Sequence, residues 1–453
     1  MNVPSWIEDL AKRFELVGFQ FYLVGGSVRD YLIGREFNEW DATTNAKPDE
    51  IVPILKQFKA SNINEVGRRF GTIAAEFLGE SIEITTFRSE QYDFDSRKPV
   101  VNFGTNLRDD LSRRDFTINA IAYNPLSKEL IDPFNGQRDI KEKIIRTVGN
   151  ASDRFSEDPL RMLRAIRLLS VLEFELTEEV SEAIIEERSR FGILSAERVA
   201  QEMNKLLLSN KPSKAIKELV NTGLINFILP ELLPSIDLEF DTSEHKDIYN
   251  HILQVLDKTP PKLALRWCAL LHDIAKPQTR KKINGEYHFL GHEVVGARTA
   301  TQVLNRLKYS NDFVKYVSKL VRYHQRIPND DGNWTDGAVR RFVRDAGDTL
   351  EDLFLFADAD NTGTNPKKLQ LYKNRREKLF TRIEELDKQE QIAKIKSPLS
   401  GDELMSIFNR PAGIWIKPIK EHLLELVLDG KLDQNDKKTA EKIAREIQKP
   451  LGK

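Results

Sequence analysis

The stretch FYLVGGSVRDYLIGR, residues 21 to 35, constrains the fold more than any other segment. It closes the short apolar and aromatic run FQFYLV, which reads as a strand ending at Val24. Gly25 and Gly26 follow and let the backbone turn tightly and lie close to a ligand. A helix opening on Ser27, Val28 and Arg29 presents unpaired N–H groups that favour an anion. Arg29 adds a charge-assisted donor suited to a phosphate oxygen. A strand, a Gly-Gly turn and an arginine on the first helical turn suit a triphosphate. Taken alone, the same turn serves equally well as structural punctuation.

Other runs up to about residue 147, GTIAAEFL, SIEITTF and INAIAYN, read as strands separated by helices and Gly/Asn/Pro turns, an α+β region. NEWDATTNAKP, residues 38 to 48, places Glu39 and Asp41 one residue apart. On a strand such residues point the same way. Glu83 alternates with Ile82 and Ile84 in SIEITTFR. Each acid alone reads as a solvated strand residue. Together, three carboxylates on neighbouring strands can hold two Mg²⁺ ions, which activate a hydroxyl and clamp a triphosphate. In LSRRDFTINAIAYNP, Arg113, Arg114 and Asp115 precede an apolar strand. They form either a buried ion pair or a phosphate and sugar contact, with Asn119 placed to orient a ribose.

The chain has 453 residues, room for roughly two to four domains. The formal net charge is −1, so any nucleic-acid contact needs a local basic surface. The single cysteine, Cys268, excludes an internal disulfide framework and suits a reducing cytoplasm. No apolar run approaches the roughly 18 to 20 residues of a membrane helix, and the N-terminus lacks a signal-peptide pattern. A soluble, cytoplasmic protein without a membrane partner is expected.

From about Asp153 onward, apolar residues recur at helical spacings of three and four. RFSEDPLRMLRAIRLL reads as one helix with Pro159 near its start, which makes Asp158 and Arg161 surface neighbours. They form either an ordinary ion pair or a base reader. Cytosine and adenine each show an amino donor beside a ring-nitrogen acceptor, which a carboxylate and a guanidinium match. Guanine and uracil would leave groups unpaired, at about 1 to 3 kcal/mol each. A later helical block holds five of the seven histidines, His251, His272, His288, His292 and His324, with Asp273 among them. Imidazoles with a carboxylate suit a transition metal or Mg²⁺. The charged tail, with KNRREKLFTRIEELDKQEQ, reads as a solvated helix.

LVGGSVRDYLIGR, the acid pair before ATTNAKP, IEITTFR, RRDFTINAIAY and DPFNGQRDI resemble the head of the class II, bacterial-type CCA-adding tRNA nucleotidyltransferases. Poly(A) polymerases are their close relatives. The resemblance implies a polymerase-β-like head over 1–147, an all-α neck over 148–235, an HD domain over 236–366 and a helical tail over 367–453. It implies tRNA, CTP and ATP as partners and Mg²⁺ in the head. EDPLRMLRAIR is similar to the family's amino-acid template, with Asp158 and Arg161 reading the base and Arg164 and Arg167 supporting it. SAERVAQEMNKLL resembles the neck motif that braces the first neck helix. Asp95, Ser96, Arg97, Lys98 and Pro99 resemble the loop needed for adding A. VGRRFGTIAAEF begins like a poly(A) polymerase and continues like a CCA-adding enzyme, and the set leans to CCA addition. The second block looks like an HD phosphohydrolase, implying His251, His272, Asp273, His292, His324 and Asp360 as ligands. A poly(A) polymerase, or a phosphohydrolase with a weakened RNA-binding head, is the alternative. The family pattern has aspartate where this chain has Glu39.

Overall fold

The computed structural model describes residues 1, 3–37, 39–91, 100–104, 106–236, 247–328, 334–363, 365–390 and 395–448. The loop motif at Asp95–Pro99 lies outside them. The chain divides into two compact units, Met1–Leu233 and Pro234–Lys453.

In the first unit, helix α1 (Ser5–Leu16) leads into strand β1 (Phe21–Val24), helix α2 (Gly25–Leu32) and strand β2 (Glu39–Thr44). Helix α3 (Pro48–Gln57) precedes β3 (Ser61–Asn64), β4 (Thr72–Phe77) and β5 (Glu80–Thr86). A ribbon of β6 (Arg88–Gln91) and β7 (Val100–Phe103) follows, then α4 (Leu107–Ser112), β8 (Ala122–Tyr123), β9 (Leu130–Ile131) and α5 (Gly136–Glu142). Helix α2 takes in both glycines, so it opens two residues before Ser27.

Seven strands form one sheet in the order β3-β4-β5-β2-β1-β8-β9. Only β2 and β5 pair in parallel within it, through the crossover made by α3, β3 and β4. Alternation sorts the side chains. Trp40, Ala42, Ile73, Ala75, Phe77, Ile82 and Ile84 point into one core, completed by Trp6, Ile7, Leu10 and Phe14 of α1 and Ile51, Ile54 and Leu55 of α3. Each fully buried large side chain is worth about 1.5 to 3 kcal/mol, and a one-residue slip would expose a whole set. The opposite face is thereby committed to Glu39, Asp41 and Glu83, with Asp41 in register beside Glu83.

Beyond a short parallel pair, β10 (Ile144–Ile145) with β11 (Glu175–Leu176), the unit is helical. The expected single helix around Pro159 is two, α6 (Ala151–Glu157) and α7 (Leu160–Leu172). Asp158 is extended, at φ −136° and ψ 100°, because the ring of a following proline bars the helical region. Asp158 and Arg161 therefore do not share one helix surface. Helices α8 (Glu178–Glu187), α9 (Ala196–Leu207), α10 (Pro212–Asn221) and α11 (Ile225–Ile228) follow.

The second unit holds α12 (Ile248–Lys258), α13 (Leu263–Leu271), α14 (Lys276–Thr279), α15 (His292–Arg306), α16 (Asn311–Tyr323), α17 (Asp336–Ala346) and α18 (Leu350–Asp360). It also carries an unexpected hairpin, Lys281–Ile283 with Glu286–His288. Asn284 and Gly285 turn it at φ +51° and +85°, the pair of positive angles that a two-residue hairpin needs. The tail begins with the long helix Pro366–Glu390. Its three shorter helices enclose a separate core of Leu404, Trp415, Ile419, Leu423, Ala440 and Ala444. No described helix is long and apolar enough to cross a membrane.

Gly136 opens α5 against the Thr117–Asn119 turn that carries Asn119. A Cβ there would overlap the Thr117 carbonyl oxygen and come within 2.8 Å of Ile121. Gly136→Ala is expected to cost about 1 to 3 kcal/mol, read as a lowered Tm. An unchanged Tm would show that this contact is not tight.

Candidate active site

A cavity of about 970 Å³ lies over the polar face of the sheet. Glu39, Asp41 and Glu83 line it, as do Gly25, Gly26, Arg29, Arg114, Asn119, Asp158, Arg161, Arg164 and Arg167. The Gly26 N–H donates to Asp41 Oδ2 at 3.2 Å. A Cβ on Gly25, at φ +72°, would stand 3.0 Å from that same oxygen and 3.2 Å from Arg114 Nη1. Only glycine fits that approach. Burial raises the Asp41 pKa above the ordinary carboxylate value, Arg114 and the Gly26 N–H pull it back, and Glu39 raises it further. Glu83 is open to solvent over much of its surface, yet partial desolvation raises its pKa, and Asp41 and Glu39 add to the rise. The three acids thus feel one another across β2 and β5.

Arginines surround them. Asp110 on α4 is fully buried and receives Arg113 at 2.7 Å and Arg114 at 3.2 Å. Burial works against its charge, but Arg114 and Arg113 outweigh it and hold the acid below its ordinary range. Asp115 behaves likewise: burial opposes its charge, and Arg164, at 2.5 Å, with Asn119 and Arg161 more than compensates. The Asn119 amide bridges two of the expected groups, donating to Asp115 at 2.9 Å and accepting from Arg29 at 2.6 Å. Arg29 also pairs with Asp30 at 2.9 Å. The buried Arg114 Nε has no hydrogen-bond partner.

The neck supplies the far wall. Asp158 accepts from the Leu160 N–H at 3.2 Å and pairs with Arg198 of α9 at 3.0 Å. Arg161 pairs with Glu157 at 2.7 Å and donates to the Arg113 carbonyl at 3.1 Å. Arg167 pairs with Glu202 of α9 at 2.7 Å. The proposed base readers therefore stand in one cavity but each has its own partner. Asp110, Glu157, Arg198 and Glu202 were not assigned these contacts from the sequence. Asp110 lies three and four residues before Arg113 and Arg114, a spacing that could have revealed it. Arg198 lies 40 residues from Asp158 and left no local signal.

In the second unit, ends of five helices converge. His251 on α12, His272 and Asp273 after α13, His292 opening α15, His324 after α16 and Asp360 closing α18 form two sets of three. Ligand atoms lie within 4.8 Å of one another among His251, His272 and Asp360, and again among Asp273, His292 and His324. Three imidazoles are oriented by backbone carbonyls on Nδ1, from Ala269 at 2.9 Å, Phe289 at 2.7 Å and Val321 at 2.8 Å. Thr362 holds His251 Nδ1 at 3.1 Å. These contacts turn the Nε2 atoms toward the cluster, as hydrogen bonds to the outer ring nitrogen do for metal-binding histidines. Without a cation, burial opposes a charge on His272, but Asp273 and Asp360 outweigh it and raise the ring to about 10. Buried Asp273 Oδ1 and His292 Nε2 have no hydrogen-bond partner. A cation would satisfy both, so the donor set fits a metal. Burial depresses His324 to about 4 and also depresses His292, which keeps both rings neutral. Asp358 pairs with Arg376 at 2.7 Å instead, so Asp360 and not Asp358 joins Asp273 in the cluster.

Comparison with known proteins covers both units. Residues 21–146 match the poly A polymerase head domain, 173–236 the probable RNA and SrmB-binding site of polymerase A, and 235–364 the HD domain. A CCA-adding enzyme of Geobacillus sp. (strain WCH70) is 33% identical over 425 residues, 94% of this chain and 92% of the relative. This chain belongs to the CCA-adding enzyme family. A family member from Staphylococcus aureus (strain bovine RF122 / ET3-1) is 44% identical over 212 residues, 47% of this chain and 52% of the relative. The Bacillus stearothermophilus CCA-adding enzyme, solved in complex with CTP, superposes with a TM-score of 0.71 at 27% identity, covering 98% of each chain. The head match spans the three acids, and the HD match spans the six clustered residues.

The repulsion among the head acids has a measurable consequence. A carboxylate with a raised folded pKa contributes stability below its unfolded value, near pH 4, that is lost as pH climbs through the folded value. In chelator, Glu83→Gln should therefore stabilise this family member at pH 8 and less so at pH 5. Glu83 is exposed, so about 0.5 kcal/mol is expected in urea denaturation. Destabilisation at pH 8 would contradict the repulsion.

Proposed function

We propose that this chain adds C, C and A to the 3′ end of tRNA, using CTP and ATP without a nucleic-acid template. One observation carries the reading: three carboxylates, a glycine turn and the side chains of Asp158 and Arg161 line a single cavity. Mg²⁺ bound by Glu39, Asp41 and Glu83 would polarise the α-phosphate and make the tRNA 3′-hydroxyl a better nucleophile. Gly25 and Gly26 open the approach to the start of α2 for the triphosphate. Arg114, held by Asp110, lines the cavity beside Gly25 and offers its guanidinium to a phosphate oxygen. Asp158 and Arg161 accept cytosine or adenine through the donor–acceptor pattern of their base edges, and Arg198 and Glu157 hold the two side chains before the base arrives. Arg164 and Arg167 brace that template against Asp115 and Glu202. Catalysis is then chiefly positioning and electrostatic stabilisation. The lone buried thiol of Cys268 supports a reducing, cytoplasmic setting.

The test is incubation with a tRNA lacking CCA together with CTP, ATP and Mg²⁺. Three defined additions are expected, whereas a long A tail from ATP alone would make the chain a poly(A) polymerase. Glu39 carries one more methylene than the family aspartate, yet its charge reaches both Asp41 and Glu83. Glu39→Ala is expected to lower kcat by about 100-fold, the scale of a misplaced reacting group. Glu39→Asp is expected to give no gain. A tenfold gain would mean that the glutamate weakens the site.

The orphaned Asp273 and His292 atoms favour a second activity, metal-dependent hydrolysis of phosphoesters in the HD unit. His251, His272, Asp273, His292, His324 and Asp360 would hold a divalent transition metal or Mg²⁺, which would supply an activated water when bound. His272→Ala should abolish release of product from a 2′,3′-cyclic nucleotide and leave CCA addition intact. Equal hydrolysis by both proteins would rule the site out.

A further inference from the structure

We propose that Phe70 is the platform on which the terminal base of the RNA acceptor stacks. The inference rests on the nucleotidyl-transfer reading and adds the side from which the acceptor enters. Gly25, Arg114 and Asn119 lie on the β1–β8 side of Asp41, and they account for the incoming nucleotide. The acceptor hydroxyl must attack in line, opposite the departing pyrophosphate. Its end therefore lies over β5 and β4, where Glu83, Thr85 and Thr72 continue the same face of the sheet. Phe70 lines the cavity there.

Two aromatic side chains line this cavity among the described residues, Phe37 and Phe70. Phe37 packs edge-on to Trp40 at 4.8 Å and belongs to the hydrophobic core. Phe70 stands outside that core, half-buried beside polar walls. It sits on a built turn. Its N–H donates to Gly67 at 2.8 Å, and the Gly71 carbonyl accepts from Thr86 at 2.8 Å. Gly71 adopts φ +82°, and a Cβ there would come within 2.7 Å of Phe103. The Arg88 guanidinium donates to the Phe70 carbonyl, and the Arg69 guanidinium covers the ring at 4.5 Å from its centroid. A ring on a turn whose backbone is fixed on both sides, backed by a cation, loses less entropy than one on a loose loop when a base stacks on it. Stacking tolerates any base, as an acceptor end that changes with each addition requires.

The test uses full-length protein and two measurements. Anisotropy of a fluorescent tRNA lacking CCA should show Phe70→Ala and Phe70→Leu weakening binding about 5- to 100-fold, with Phe70→Trp near wild type. In steady-state addition, kcat/KM for the RNA should fall in step while KM for CTP holds. The leucine variant keeps apolar bulk, so a loss confined to non-aromatic residues separates stacking from packing. Unchanged RNA binding in both non-aromatic variants, or an equal rise in KM for CTP, would overturn the platform. Absence of CMP incorporation by the wild type would instead sink the transfer reading, and the anisotropy series would still decide the role of Phe70.

Discussion

The parallel pairing of β2 with β5 is the constraint on which the head depends. It sets Asp41 beside Glu83 and leaves Glu39 one alternation away on the same face. Loss of water raises the pKa values of Asp41 and Glu83, and the like charges gathered there raise them further. The opposite face makes the arrangement tenable. Ile82, Ile84, Trp40 and Ala42 lock the register against α1 and α3. A strand cannot slip to relieve its acids without withdrawing its apolar residues from the core.

The arginines around this face are themselves anchored. Buried acids such as Asp110 and Asp115 stay ionised because two or more guanidinium or amide donors reach each. Buried pairs of this kind contribute little net stability, because desolvation offsets their attraction. Their consequence here is geometric. Arg113 and Arg114 are held at one end of the cavity, Arg164 at its wall, and Asn119 links Arg29 to Asp115.

The second unit solves a different problem. Its cluster is closed and rich in nitrogen, where the head is open and entirely of oxygen donors. Softer imidazole ligands suit transition metals, whereas carboxylates suit Mg²⁺. Carbonyls three residues before His272, His292 and His324 orient each ring, so the local backbone prepares the ligands before any metal binds. The unpartnered oxygen of Asp273 and nitrogen of His292 are the cost of that preparation.

Much of the fold was legible because alternation and helical periodicity are local. The strands near Val24, Asp41 and Glu83, the glycine turn and the shared direction of Glu39 and Asp41 follow from neighbours in sequence. Glu83 and the histidine cluster were legible through the resemblance of their motifs to a family, because their meeting depends on packing between distant elements. The break at Asp158 was available from Pro159, and the hairpin from Asn284-Gly285, but periodicity masked both. Only the tertiary structure decided the partners: Asp158 with Arg198, Arg161 with Glu157, Asp115 with Arg164, and Phe70 at the edge of the cavity. The reason is physical. Spacing along the chain determines which face a side chain occupies, whereas the group opposite depends on how distant elements pack.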